Sequence, residues 1–185
     1  MTLERKIFLG YILLFALFSG LVFHFYTPST QIVKITDTET KRVDAEGIIS
    51  SKNPADGPTR DVYYISVDTK NDKSVMYRNE DTAWGFPWYF KFNSADIQAR
   101  ASSIKESGRY GILTSYGWRL NIPMMFKNIV SLKPTADADA STFTMYTFVA
   151  IGSWLVWIGL IAVQVYGYIR FSRWREKREL YGSYK

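Results

Sequence analysis

The sequence predicts a membrane protein in which two transmembrane α-helices flank a small β-rich α+β extracytoplasmic domain, preferably an OB-like five-stranded barrel with one helix. Three observations support this prediction. Two uncharged apolar runs lie near the ends of the chain, the region between them is polar, and that region shows successive strand and turn signals. An undifferentiated α+β sandwich is the alternative for the middle domain.

The first apolar run, residues 7–26, has about the 20 residues that a helix needs to cross the hydrocarbon core of a bilayer. A cleavable signal peptide would have a shorter apolar region, of ~7–15 residues, followed by a small-x-small cleavage site. The bulky sequence VFHFY at the end of this run offers no such site. We therefore expect an uncleaved transmembrane anchor.

The second apolar run, residues 143–169, contains no charged residue. Tyr146 lies near its start, and Tyr166, Tyr168 and Trp174 lie near its end, as in the aromatic belts of transmembrane helices. A core helix of this length would be too large for so small a domain. We therefore predict a second transmembrane helix.

Basic residues next to the two runs predict the orientation. Residues 27–142 are nearly balanced, with 15 Lys and Arg against 14 Asp and Glu, whereas the two ends of the chain carry most of the net charge of +6. The residues predicted to lie at the membrane interface are Arg170, Arg173, Trp174, Arg175, Lys177 and Arg178. The positive-inside rule then places both termini in the cytoplasm. We predict a multi-pass protein of the bacterial inner membrane with a periplasmic middle domain.

This organisation divides the chain into seven segments. They are a cytoplasmic N-terminus (1–6), transmembrane helix 1 (7–26), a linker (27–42), the β-rich domain (43–133), a spacer (134–142), transmembrane helix 2 (143–169) and a basic cytoplasmic tail (170–185).

The middle domain shows five strand signals and one helix signal. The strands are predicted at 43–51, 61–68, 74–79, 109–116 and 127–132. Between the third and fourth, Asn93 and Asp96 resemble a capping box, Ile97, Ala101 and Ile104 repeat at helical spacing, and Gly108 is placed to end the helix. A helix between strands three and four is the order of an OB-type barrel.

The most distinctive segment, residues 77–100, combines charged and aromatic side chains. It resembles a family of uncharacterised bacterial membrane proteins, domain of unknown function 1523, whose motif is YRNEDTxWGxPxYFKFxSADxQA. A second match is the sequence YGWR at 116–119, and the resemblance covers roughly residues 30–133. It implies no known activity, substrate or catalytic residue.

Two interpretations of this segment remain open. Its rings could be buried and cap one end of the barrel, with Arg78, Glu80 and Asp81 bonded to loop backbone or paired with Arg119. Alternatively, the rings and carboxylates could form a binding surface for a ligand or a partner. The candidate binding residues are Arg78, Glu80, Asp81, Trp84, Trp88, Tyr89, Trp118 and Arg119.

The residue inventory limits the function classes. The chain has no cysteine and one histidine, His24, which lies outside the middle domain. Nucleophilic hydrolysis assisted by histidine and the usual zinc sites are thereby excluded there, which leaves only carboxylate chemistry at Glu80 with Asp81 or Asp96. We expect no enzyme activity, no cofactor and no metal.

An interaction or structural role is the first hypothesis for function. The expected partners are the lipid bilayer and either a protein partner or a second copy, bound through the helices or the outer domain; nucleic acid is not expected. The alternative is an envelope sensor that binds a glycan or peptide at the aromatic segment. The tail after residue 169 is too short for a kinase or cyclase output domain.

Overall fold

The computed structural model describes residues 3–44, 48–49, 51, 54–70, 73–120 and 125–182. Its elements, in chain order, are α1 (Leu3–Tyr26), β1 (Ser29–Val43), β2 (Arg60–Thr69), β3 (Ser74–Asn79), α2 (Ser94–Glu106), β4 (Tyr110–Tyr116), β5 (Asn128–Thr135) and α3 (Met145–Gly182). The chain divides into two compact units, a helical unit with Met1–Phe25 and Ile151–Lys185, and a barrel unit with Tyr26–Ala150.

The helical unit consists of α1 and α3, and both helices are long and apolar enough to cross a membrane. Polar side chains join them along their length. The Trp157 indole N–H donates to the Ser19 hydroxyl at 2.9 Å, and the Tyr11 hydroxyl donates to the Gln164 Oε1 at 2.9 Å. At Gly20 the absence of a side chain allows close approach, since a Cβ there would lie 3.2 Å from the Trp157 ring. The two helices therefore run antiparallel along one specific contact.

The barrel unit is a closed barrel with the strand order β1-β2-β3-β5-β4. Neighbouring strands are antiparallel except β3 and β5, which are parallel, and α2 connects β3 to β4. The predicted closed arrangement of five strands with one helix between the third and fourth is confirmed.

One face of α2 packs against the interior of the barrel. The buried core residues are Val33, Ile35, Ile65, Val67, Tyr77, Ile97, Ala101, Ile104, Leu113, Ile129 and Leu132. The helix thus contributes the three apolar positions that its spacing predicted, and Gly108, at φ +64°, donates its N–H to the Lys105 carbonyl just beyond the helix end.

The first strand was predicted wrongly. The supposed linker 27–42 contains β1, whose first part pairs with β4 and whose second part pairs with β2. Its Thr-rich outer face is polar, and a few inward residues such as Val33 and Ile35 carry the burial, so the apolar pattern is weak. The predicted strand 43–51 lies partly outside the described residues; within them, Ile48 forms an isolated bridge with Val43.

Two other boundaries also differ from the prediction. The predicted spacer 134–142 begins inside β5, which extends to Thr135. The predicted tail 170–185 continues α3 as a helix to Gly182, because this stretch is rich in Arg, Lys and Glu, which favour helix.

Candidate functional site

The aromatic segment forms the connection between β3 and α2, residues 80–93, which we call the aromatic loop. Its two arms meet where the Ala83 N–H donates to the Lys91 carbonyl at 3.0 Å and the Lys91 N–H donates to the Thr82 hydroxyl at 3.2 Å. Ala83 and Phe90 take left-handed backbone conformations, at φ 47° and 49°, which cost free energy for residues other than glycine. The loop is therefore closed at its base by hydrogen bonds between its two arms.

The base of the loop is a buried polar network centred on Lys91, whose side chain is only 4% exposed. Its ammonium group donates to the Asn79 side-chain oxygen at 2.5 Å and to the Glu80 carbonyl at 3.0 Å. Asn79 in turn donates to the Ser94 carbonyl at 2.8 Å. Burial lowers the pKa of Lys91 to about 8, although the nearby carboxylates of Asp81 and Glu80 act in the opposite direction.

Asn128, at the start of β5, holds the loop from the other side. Its side-chain oxygen accepts the Glu80 N–H at 2.9 Å, and its amide donates to the Glu80 carbonyl at 3.1 Å and to the Tyr116 hydroxyl at 3.2 Å. The backbone of Glu80 is therefore bound by two buried side chains, Asn128 and Lys91.

Asp81 joins the loop to α2. Its two carboxylate oxygens accept the Ser94 N–H and the Ser94 hydroxyl, each at 2.9 Å. The predicted capping box of Asn93 and Asp96 is wrong, since Asn93 makes no side-chain cap hydrogen bond in this described segment. Asp81, from outside the helix, supplies an acceptor and a negative charge at the helix N-terminus.

The remaining charged candidates form ion pairs or contacts with neighbouring residues of the barrel unit. Glu80 forms ion pairs with Arg78 at 2.9 Å and Arg60 at 3.2 Å. Arg119 lies over the Phe126 ring, 4.5 Å from its centroid, and donates to the backbone carbonyls of residues 120 and 125. Trp118, the last of the predicted candidates, is half-buried.

Most aromatic side chains of the loop, unlike Lys91 in its base, are exposed. Five of them are between 53% and 77% exposed: Trp84, Phe86, Trp88, Phe90 and Phe92. They contact one another edge to face, with Trp84 5.7 Å from Phe90 and 5.2 Å from Phe92, and Phe86 5.3 Å from Trp88. The interpretation in which these rings are buried as a cap on the barrel is therefore wrong.

Tyr89 connects the tip of the loop to the beginning and the end of the chain segment that forms the barrel unit. Its hydroxyl donates to the carbonyl of Tyr26, the last residue of α1, and its ring lies 6.4 Å from Tyr146 at the start of α3. It also stacks on Tyr116 at 5.1 Å, while Phe86 contacts the Tyr26 ring at 4.4 Å. Burial raises the pKa of both Tyr89 and Tyr116.

Two of the three carboxylates considered for acid–base chemistry are held by these contacts, Glu80 in ion pairs and Asp81 in the helix cap, and Asp96 lies in the first turn of α2. Within the described residues, no group of three or more His, Cys, Asp or Glu could hold a metal ion. The site therefore consists of a hydrogen-bonded polar base and a cluster of exposed aromatic rings.

The predicted interface residues lie on the last turns of α3. Arg175 hydrogen-bonds to both carboxylate oxygens of Glu4, and Arg178 lies 4.2 Å from the Trp174 ring centroid. Arg5 approaches Glu176 at 3.9 Å. The beginning of α1 and the end of α3 are thus paired within the helical unit.

The sequence analysis missed Asn79, Lys91 and Asn128, which organise the loop. One signal was present: Lys91 stands inside the otherwise aromatic run YFKF, where a charge is unusual. The two asparagines carry no comparable signal, because strand ends commonly contain asparagine.

Comparisons with known proteins identify relatives of this chain but no activity. The family model described as "Protein of unknown function (DUF1523)" matches residues 4–171. An uncharacterized protein of Haemophilus influenzae is 42% identical over 150 residues, which cover 79% of this chain and 82% of that protein. A solved chain described under "Structural basis of subtilase cytotoxin SubAB assembly" is similar at a TM-score of 0.36 and 13% identity, over 62% of this chain and 91% of that chain, which is too distant to bear on function.

Proposed function

The chain belongs to the DUF1523 family, whose function is unknown, and we propose that it is a membrane-anchored interaction protein of the bacterial inner membrane. In this proposal the barrel lies in the periplasm, both termini lie in the cytoplasm, and the aromatic loop is the binding surface. The role is structural or adhesive rather than catalytic.

The helical unit supports this topology. The 24 residues of α1 and the 34 residues Met145–Arg178 exceed the ~20 residues needed to span a bilayer. The ion pair between Glu4 and Arg175 joins the two outer ends, as expected if both termini lie on one side. The basic residues that follow position 169 favour the cytoplasm for that side.

The barrel unit supports a binding role. We assign it to the OB type, because its strand order is β1-β2-β3-β5-β4 and its helix joins β3 to β4. OB-type barrels commonly use loops and an exposed strand face for binding.

The aromatic loop is the single observation that carries the proposal. In its base Lys91 is buried and bonded and the Glu80 backbone is held by Asn128, whereas five large rings are turned outward. Exposed tryptophan and other aromatic side chains in a cluster are typical of interaction surfaces. Because the base fixes the loop in advance, binding would cost little ordering entropy.

Photo-crosslinking in intact cells tests the binding surface. A photoreactive amino acid at position 88 of the full chain should give reproducible crosslinks, whereas the same residue at position 106, at the far end of α2, should give few. Equal labelling at both positions would contradict the proposal. A reporter fused after Lys185 tests the topology, and activity confined to the periplasm would overturn it.

An envelope sensor is the second candidate, and the exposure of Trp84 favours it. This ring is 77% exposed and lies beside Phe90 and Phe92, an arrangement on which a sugar ring or a peptide side chain could stack. Thermal stabilisation of the full chain in detergent by peptidoglycan fragments would support it. That stabilisation should disappear in Trp84→Ala and persist in the control Arg109→Ala, on the exposed α2–β4 connection.

A further inference from the structure

We propose that the occupant of the aromatic loop is the lipid bilayer itself, so that the loop inserts its rings into the periplasmic headgroup region and seats the barrel on the membrane. This inference rests on the proposed function, because it requires that α1 and α3 cross the membrane. It names the partner of the binding surface and gives the barrel a membrane contact besides the two helices.

Position is the first argument. Tyr26 ends α1 and Tyr146 lies next to the first residue of α3, so both mark where an apolar helix meets the barrel unit. The loop touches both: Phe86 lies 4.4 Å from the Tyr26 ring, and Tyr89 lies 6.4 Å from the Tyr146 ring. If the helices span the bilayer, these tyrosines lie at its boundary, and the rings in contact with them lie there too.

Composition is the second argument. The large exposed side chains of the loop are two tryptophans and three phenylalanines. Tryptophan favours the headgroup level, where its ring is apolar and its N–H can still bond, and phenylalanine favours the adjoining acyl boundary. A water-facing loop would leave these rings exposed at an unfavourable free energy.

The hydrogen bonds of the loop are the third argument. Backbone and charged groups that are bonded within the protein approach the hydrocarbon region at a lower free-energy cost than unbonded groups. Lys91 is buried on Asn79 and the Glu80 carbonyl, and Asp81, which is exposed, is bonded to Ser94. At the tip, the Gly85 N–H donates to the Thr82 carbonyl at 3.0 Å, and the Tyr89 N–H donates to the Pro87 carbonyl. The loop thus presents its rings outward, and its charged groups are bonded at the base.

Continuity with the helix ends favours lipid over a protein partner or a second copy. The ring surface adjoins the residues at which both apolar helices begin or end, and a bilayer around those helices would extend directly over it. A protein partner would have to displace lipid from that edge first.

Spin labelling of the full chain tests this inference, and the chain suits it because it contains no cysteine. Four single-cysteine variants are labelled with a nitroxide and reconstituted in phosphatidylethanolamine–phosphatidylglycerol vesicles: Trp88→Cys and Phe90→Cys in the loop, Leu155→Cys within α3, and Glu106→Cys at the end of α2. Accessibility to oxygen, which partitions into lipid, is compared with accessibility to a water-soluble nickel chelate. Each loop substitution leaves the other four rings in place, and circular dichroism verifies the fold.

The expected oxygen-to-nickel ratio is highest at position 155, intermediate at 88 and 90, and lowest at 106. A ratio at 88 and 90 as low as at 106 would overturn the lipid contact. So would labels at 88 and 90 that are shielded from both reagents, because a protein partner or a second copy would then cover the loop. If position 155 is also open to nickel, the membrane-spanning topology itself fails; if it stays protected, only the seating of the loop fails.

Discussion

The barrel interior and the aromatic loop arrange the same kinds of side chain in opposite ways. In the barrel, apolar residues such as Ile65 and Leu132 are fully buried. In the loop Lys91 is buried, together with Asn79 and Asn128 of the adjoining strands, and rings such as Trp84 and Trp88 face outward. The barrel follows the rule for a protein in water, and the loop reverses it.

This difference indicates what each region requires of its surroundings. The barrel core is stabilised by removing apolar area from water, and it needs only a polar environment outside. The loop obtains its shape from hydrogen bonds in its base, so its rings are not needed to hold it together. Five predictions test that division, beginning with the largest expected effect.

Asn128→Ala should lower the free energy of unfolding by about 3 kcal/mol, because it removes the hydrogen bonds of a buried side chain to the Glu80 N–H, the Glu80 carbonyl and the Tyr116 hydroxyl. Chemical denaturation of the full chain in detergent micelles measures this. Asn93→Ala is the matched control, since Asn93 is exposed and forms no side-chain cap bond in the described loop. Equal effects of the two substitutions would mean that the base does not hold the loop.

Lys91 should contribute a rise of about 2 kcal/mol to the stability between pH 8 and pH 10, seen as the difference between the wild type and Lys91→Met. Over this interval the unfolded chain, in which the lysine has its ordinary pKa of 10.5, binds a proton that the folded protein, with a pKa of about 8, has released. Denaturation at a series of pH values measures the rise. In Lys91→Met the rise should be lost, and a rise of unchanged size there would assign it to other groups.

Above pH 10 the buried tyrosines reverse this trend. Burial raises the pKa of Tyr89, Tyr77 and Tyr116 in the folded protein, so the unfolded chain loses these protons first and stability falls. The stability of the wild-type chain should therefore have its maximum near pH 10, a value set by the loop base and its tyrosines.

Asp81→Ala should cost about 1 kcal/mol, because it removes both hydrogen bonds that cap α2 at Ser94. Thermal denaturation in the same micelles detects the loss. Asp96→Ala removes a carboxylate from the first turn of the same helix without touching those bonds, so it should cost only a few tenths of a kcal/mol. A larger loss in Asp96→Ala would contradict the assigned cap.

Trp84→Ala should change the free energy of unfolding by less than about 0.5 kcal/mol, because the ring is largely exposed and contributes little to the fold. The same denaturation measurement on Trp84→Ala and Asn128→Ala compares the contribution of an exposed ring with that of a buried residue that holds the loop base. A loss approaching that of Asn128→Ala would show that the rings stabilise the loop after all.

Much of the fold was predictable because it rests on local patterns. The apolar runs predicted α1 and α3, alternation predicted β2 and β3, and the spacing of Ile97, Ala101 and Ile104 predicted the buried face of α2. The strand β1 was missed because it pairs with two partners and exposes a Thr-rich face, so its apolar alternation is diluted.

The sequence predicted which segment forms the candidate site, but not whether its side chains point inward or outward. The sequence marked the segment by its composition, yet composition does not tell whether a ring points inward or outward. That orientation depends on the base of the loop, where Asn128 reaches the Glu80 backbone only when β3 and β5 become neighbours. The cap provided by Asp81 likewise depends on a tertiary approach across 13 residues.

The short passage from α1 to β1 has a mechanical consequence. Only Thr27 and Pro28 separate the last residue of the helix from the first residue of the strand, and that strand is bonded to β4 along its first half and β2 along its second. A force on α1 is therefore transmitted to the barrel through only two residues. Because the bonds of antiparallel strands stand perpendicular to the strand axis, the component of that force along β1 loads many of them together in shear rather than opening them one at a time.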